Sequence, residues 1–258
     1  MNRILFEPDE IVDGVATVGG ARAEHILDVL HGEVGQSLKT GVVGGLAGTS
    51  EIVAVSAPGE TPRVSVRVCH DTPAPAPWID LVLAPPRPRV MKRLLPQLAA
   101  LGVGRIVLVG ARKVEKDFWG ATLLKEETYR PLLVEGLMQC GATVLPELLV
   151  RRNFRRFLDE ELNMLFPNSD RIVAHPSPTP HEPRTTNHES RATRLRQGYG
   201  GQASQEPRPL LAIGPEGGWT DNEVELLEAH GFRRFSLGPR ILRTDTAAIA
   251  LIAVIGAN

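Results

Sequence analysis

Residues 210–255 read LLAIGPEGGWTDNEVELLEAHGFRRFSLGPRILRTDTAAIALIAVI, and their pattern decides the fold class. Leu210–Ile213 is a short, wholly apolar run of strand length that passes directly into Gly214-Pro215-Glu216-Gly217-Gly218-Trp219. Thr220 followed three residues later by Glu223 is a capping box, so a helix opens at Asp221 and runs to His230, where Gly231 closes it. The alternation then repeats: a strand Arg234–Leu237, a loop Gly238–Arg243, and an apolar helix Thr246–Ile255 capped by Thr244 or Asp245. Strand, glycine-bearing turn and helix in succession predict a parallel α/β sheet with right-handed crossovers. Such sheets bind ligands beyond the carboxyl ends of their strands. Glycine lets backbone approach a ligand closely, and free N–H groups at helix starts hold a carboxylate or phosphate. One glycine loop is explained by a tight turn alone. Two in succession, carrying Glu216, Arg240, Arg243 and Asp245, point to a ligand site.

The same alternation extends upstream. Trp78–Ala84 is a continuous apolar strand, Val90–Ala100 has helical spacing ended by Gly102, and Arg105–Val109 is a further strand. Thr122–Met138 and Phe154–Leu165 read as helices, and Arg171–Ala174 as a short strand. Residues 175–209 break the pattern, with Ala192, Leu195, Tyr199 and Ala203 their only hydrophobic residues. That stretch reads as a low-complexity surface insertion, too polar to offset its own ordering entropy. Its His175, His181 and His188 fit no ordinary zinc spacing, so no metal is expected.

Residues 1–72 differ in kind. Alternating runs at Ser50–Ser56 and Arg63–Val68, Gly-rich turns and one helical stretch, Ala23–Leu30, suggest a small β-barrel of about six short strands. Thr72-Pro73-Ala74-Pro75-Ala76-Pro77 is a stiff linker by composition. The expected division is therefore a barrel over 1–72, a linker over 73–77, and an α/β domain over 78–258 containing the insertion.

The chain has 258 residues, 42% of them hydrophobic and 23% charged, with a formal net charge of −1. This excludes a disordered chain, a disulfide scaffold and a polybasic tail protein. Cys69 and Cys140 lie far apart and read as buried thiols of a reducing compartment. No apolar run reaches the length of a membrane span, and the N-terminus turns acidic, so a soluble cytoplasmic protein is expected. The near-zero charge hides an asymmetry. Residues 1–72 are acidic, whereas residues 87–116 hold Arg87, Arg89, Lys92, Arg93, Arg105, Arg112, Lys113 and Lys116 against Glu115 alone. A second basic cluster occupies Arg151–Arg156. Basic groups gathered on one face suit an anionic partner such as RNA; scattered over helix faces they are only solvated. A P-loop, a GxGxxG fingerprint after the first α/β strand, and a GxSxG elbow are all missing from the sequence.

The segment Ile213–Leu251, with GPEGG and LGPRILRTDTA, resembles the C-terminal motifs of the RsmE family, SPOUT-class methyltransferases acting on N3 of a uridine in 16S ribosomal RNA of the small subunit. A weaker likeness covers the whole chain. It implies a PUA-like β-barrel followed by a SPOUT-type α/β domain with a trefoil knot, and a homodimer whose interface forms the site. S-adenosyl-L-methionine is the cofactor implied. Its contacts fall on Ile213, Gly214, Pro215, Glu216, Gly217 and Gly218 on one side, and on Leu237, Gly238, Arg240, Ile241, Leu242 and Thr246 on the other. Arg243 is the candidate for stabilising negative charge on the uracil oxygens. Glu216 or Asp245 would assist removal of the N3 proton, unless each merely caps a helix or pairs with an arginine. Trp219 either stacks on a base or packs in the core. RNA contact is expected at Arg87, Arg89, Lys92, Arg93, Arg112 and Lys113.

The chain departs from the family at Ala100-Leu101-Gly102-Val103 and at Met138-Gln139-Cys140-Gly141-Ala142, where more polar residues are usual. Asp245 stands for the more usual Glu, and His31 for an Arg. These departures keep two other readings open: a SPOUT enzyme acting on another RNA such as transfer RNA, and an RNA-binding assembly protein without turnover.

Overall fold

The structure is a computed structural model describing residues 2–57, 59–176 and 207–257. The chain forms two compact units, one of Met1–Pro75 with Val134–Leu145, the other of Ala76–Leu133 with Pro146–Asn258. The insertion read at 175–209, with His181 and His188, falls for the most part outside the described residues.

The first unit is a six-stranded sheet: β1 (Ile4–Phe6), β2 (Ile11–Val12), β3 (Val15–Gly19), β4 (Ser37–Val42), β5 (Ala47–Val55) and β6 (Arg63–Thr72). Its spatial order is β1-β4-β5-β6-β3-β2. Only β1 and β4 pair in parallel; the other neighbours are antiparallel. The period-two pattern sets which side faces in: Ala16 and Val18 on β3, Ile52 on β5, and Val64 and Val66 on β6 are buried. The helical stretch opens at Gly20–Glu24 and widens into a π turn over His25–Val29, burying Ala23 and Ile26.

Val134–Leu145 belongs to this unit through main-chain bonds. The Met138 carbonyl accepts the N–H groups of Asn2 (3.0 Å) and Arg3 (3.1 Å). Arg3 Nε donates to the Gly141 carbonyl (2.9 Å), Gly44 N–H to the Thr143 carbonyl (2.7 Å), and Thr143 Oγ1 to the Gly45 carbonyl (2.6 Å). The Met138 side chain is itself buried. At this departure from the family pattern the carbonyls make the contacts, and a carbonyl is indifferent to which side chain it carries.

Both cysteines are exposed rather than buried. On β6 the inward positions belong to Val64 and Val66, which leaves Cys69 on the outward set with Arg67. Cys140 sits in the last turn of the helix Glu126–Cys140, its Sγ near the Leu137 carbonyl (3.5 Å).

The second unit carries a wholly parallel sheet: β7 (Ile79–Leu83), β8 (Val103–Val109), β9 (Glu147–Arg151), β10 (Arg171–Ala174), β11 (Leu210–Ile213) and β12 (Arg233–Phe235). Its order is β12-β10-β11-β7-β8-β9. Every residue of β7 and β11 is buried, as central parallel strands covered on both faces require. The helix Pro88–Ala100 buries Met91, Leu94, Leu95 and Leu98, a stripe at three- and four-residue spacing. The final helix runs Thr244–Ala257, two residues longer at each end than the sequence pattern suggested. The capping box at Thr220 and Glu223 is formed as expected, opening the helix Asp221–Ala229. Trp78 Nε1 donates to the Leu101 carbonyl (2.7 Å), and its ring lies so close to Gly256 that a Cβ there would meet it at 2.8 Å.

One polar side chain is built into β7. Asp80 is 4% exposed and receives Arg208 Nε on Oδ2 (2.9 Å), while Oδ1 is buried without a partner. Burial holds its carboxyl above the ordinary range, against the pull of Arg208 and Arg105. Among the described residues no helix is long and apolar enough to cross a membrane, and no three metal-ligating side chains gather.

Candidate active site

All six strands of the second sheet run the same way, so the loops that follow them emerge at one edge. After β7 come Ala84, Pro85, Pro86 and Arg87; after β8, Gly110–Lys113; after β11, Gly214–Trp219; after β12, Ser236–Arg243. The central position of β11 beside β7 puts its loop in the middle of this edge.

Short bonds fix the β11 loop. Ala84 N–H donates to the Ile213 carbonyl (2.9 Å), and Gly218 N–H to the Pro215 carbonyl (2.7 Å). Lys113 Nζ donates to the Gly217 carbonyl (2.7 Å). A Cβ at Gly214 would lie 2.9 Å from the Trp219 nitrogen, so only glycine allows the loop to close on itself there. Gly218 and Gly238 both have positive φ, +67° and +114°. The two glycine loops are tied together: the buried Thr244 hydroxyl donates to the Gly214 carbonyl (3.3 Å). The sequence identified Thr244 only as a helix cap; nothing local signals its long-range bond.

The candidate acid–base residues divide. Glu216 Oε1 accepts the N–H of Arg87 (3.0 Å), which joins the β11 and β7 loops, and the rest of the side chain is exposed. Asp245 is more committed. Its Oδ2 receives Arg93 (3.3 Å) and its Oδ1 the N–H of Thr246 (2.9 Å). The arginine-pairing alternative is thus realised at Asp245. Arg240 and Arg243 are exposed at the mouth. Trp219 is in the core: 4% exposed, it stacks on Phe154 with ring centroids 5.3 Å apart, and its Nε1 has no partner.

Of the other loop residues, Ile213, Gly214 and Pro215 are buried, whereas Leu237, Ile241 and Leu242 expose apolar side chains, Ile241 to 84%. Three exposed apolar residues on one loop form a patch rather than the scattered singles of an ordinary surface.

The basic residues sit beside this mouth. Arg87, Arg89 and Arg93 line an open groove of about 680 Å³ with Pro88, Val90 and Glu115. Arg87 Nε pairs with Glu115 (2.8 Å), which raises the already high arginine pKa. Lys92, Arg112 and Lys113 are exposed, and Arg112 is held by its N–H, which donates to Glu223 Oε1 (2.7 Å). Glu223 therefore completes the capping box and also pins the β8 loop, a second role that its spacing does not reveal.

Residues 72–256 match the RNA methyltransferase domain family. The chain is 32% identical to ribosomal RNA small subunit methyltransferase E of Treponema pallidum, over all of this chain and 91% of that protein. Among solved structures, a methyltransferase from Legionella pneumophila in complex with bound SAM superposes with a TM-score of 0.70 at 26% identity, covering 99% of this chain and 97% of that one. Ribosomal RNA small subunit methyltransferase E of Neisseria gonorrhoeae shares the fold, with a TM-score of 0.69, 22% identity, and coverage of 99% and 96%.

Proposed function

The chain belongs to the RNA methyltransferase family that includes ribosomal RNA small subunit methyltransferase E, and from that premise we propose that it methylates N3 of a uridine in 16S ribosomal RNA. It is an S-adenosylmethionine-dependent methyltransferase of small-subunit ribosomal RNA. The observation that carries the reading is the pair of glycine loops after β11 and β12, joined by Thr244 and rimmed by exposed arginines.

The residues present suit an adenosyl cofactor. A purine needs apolar walls with backbone donors and acceptors between them. Leu237, Ile241 and Leu242 offer such a wall, and Gly214, Gly217 and Gly218 keep the opposite loop free of side chains. When bound, S-adenosylmethionine supplies an electrophilic methyl group. The chain's own work is to place the acceptor in line and to manage one proton, because uridine N3 is protonated at neutral pH. Arg243, exposed just before the final helix, neutralises charge on the uracil oxygens as that proton leaves. Glu216 takes it, since only one of its oxygens is engaged. Asp245 holds Arg93 at the rim and is a positioning residue.

The rest of the proposal follows the same resemblance. The first unit is a PUA-like barrel, a reading supported by six strands in one mostly antiparallel sheet. The C-terminal segment is knotted, a reading supported by the way β12 lies beyond β10 while Thr244 returns to Gly214. Two copies of the chain meet over Ile241 and its exposed neighbours, and the protein works in the cytoplasm. Transfer of label from methyl-labelled S-adenosylmethionine tests this: small subunits or their RNA take up label, and large subunits and transfer RNA do not. Uptake by transfer RNA alone overturns the substrate assignment.

A further inference from the structure

A second groove opens along the same sheet edge, about 560 Å³ in volume, lined among others by Gly110, Arg112, Arg152, Asn153, Arg155 and Glu223. It lies where β8 and β9 end, so successive strand ends from β7 to β9 carry Arg87, then Arg112 and Lys113, then Arg152 and Arg155. With strands ~4.8 Å apart, the line from the β11 loop to the end of β9 runs ~14 Å.

The charges in this groove are available. The cluster Arg151–Arg156 has four arginines, but the outer two are neutralised: Arg151 pairs with Glu161 (2.5 Å) and Arg156 with Glu160 (2.7 Å). Arg152 and Arg155 have no carboxylate partner among the described residues, and neither has the Arg112 guanidinium. The one acid in the groove, Glu223, is already engaged by the N–H groups of Arg112 and Thr220 and by the Thr220 hydroxyl. Arg152 is pre-set: its Nη2 donates to the Trp119 carbonyl (2.8 Å) and its guanidinium lies over the Trp119 ring at 5.7 Å. Phe154, also in the groove wall, stacks on Trp219 of the β11 loop and so joins the groove to the site.

We propose that this groove is an RNA-docking surface in which Arg112, Arg152 and Arg155 hold the phosphates of a single-stranded segment leading away from the methylated nucleotide. Guanidinium groups without carboxylate partners, gathered at one side of a reaction site, suit a polyanionic backbone and carry no demand on base identity. An acidic protein segment would meet the same charges, but the groove's continuity with the site favours the substrate itself. The inference rests on the RNA methyltransferase reading.

The test uses the full-length protein and a fluorescent single-stranded oligouridylate. The double variant Arg112→Ala, Arg155→Ala, both exposed and free of internal side-chain bonds, should bind it about ten-fold more weakly near physiological salt, with the salt slope shallower by about 1.4. Its KM for small-subunit RNA should rise by a similar factor, the effect falling on KM rather than kcat, with S-adenosylmethionine affinity unchanged. Arg155→Lys should restore most of the binding lost in Arg155→Ala. An unchanged salt slope and KM would overturn the proposal. The titration is read without turnover, so absence of methyl transfer in the parent protein would count against the functional reading alone.

Discussion

At the scale of single residues, the proposed chemistry rests on Arg243 and the fold on a buried carboxylate at the other end of the sheet. The Arg243 guanidinium takes no part in the site's hydrogen-bonded frame, which is built by Lys113, Thr244 and the glycines; only its carbonyl is engaged, accepting the Ala247 N–H (2.8 Å). Arg243→Ala should therefore leave S-adenosylmethionine affinity within about two-fold while lowering kcat by about 10²-fold; calorimetry and single-turnover kinetics read the two quantities. Asp80 behaves differently. Its carboxyl is raised by burial, so the folded state binds a proton more readily than the unfolded one, and its contribution to stability is fullest below the ordinary value of 3.8 and is lost as pH rises. Arg208 opposes that loss. Arg208→Ala should cost about 3 kcal/mol at pH 7, where an unpaired buried carboxylate is left behind, and much less near pH 4. Urea melts at the two values check it, and an equal loss at both would contradict the assignment.

At the scale of elements, the sequence was most informative where a local signal and the tertiary answer agree. The capping box at Thr220 and Glu223, the buried strands β7 and β11, apolar but for Asp80, and the striped helix Pro88–Ala100 were each readable from their own residues. The strand β9 was not, because it is a half-buried edge strand that begins and ends with charged residues and so lacks the apolar run. Nor was the membership of Val134–Leu145 in the first unit, since main-chain acceptors such as the Met138 carbonyl leave no trace in side-chain pattern. Arg3 joins these parts, donating to the carbonyls of Gly141 (2.9 Å), Thr40 (2.6 Å) and Gly48 (3.2 Å). It also stands near His70, whose pKa is lowered first by burial and then by the Arg3 charge. A lowered histidine pKa means stability is full above the ordinary 6.5 and is lost as pH falls below it. Arg3→Ala should cost about 2 kcal/mol and also flatten that pH dependence. All three tryptophans lie in the second unit, so amide hydrogen exchange on β4–β6 is the suitable readout. An unaltered pH profile would remove Arg3 as a cause.

At the scale of the whole molecule, the architecture separates an acidic β unit from an α/β unit whose basic groups cluster at one sheet edge. The glycine loops announced a ligand site in the sequence, and resemblance supplied the ligand. What the sequence left open was the assignment of the carboxylates, because the choice between base and ion pair depends on residues more than a hundred positions away: Arg87 for Glu216 and Arg93 for Asp245. One chemical outcome tests the proposed activity most directly. Purified protein should be incubated with S-adenosylmethionine and unmethylated small ribosomal subunits, and the RNA then digested to nucleosides for mass spectrometry. The expected product is 3-methyluridine, formed only when both protein and cofactor are present. A methyl group on any other nucleoside, or none at all from protein that binds the cofactor, would contradict it.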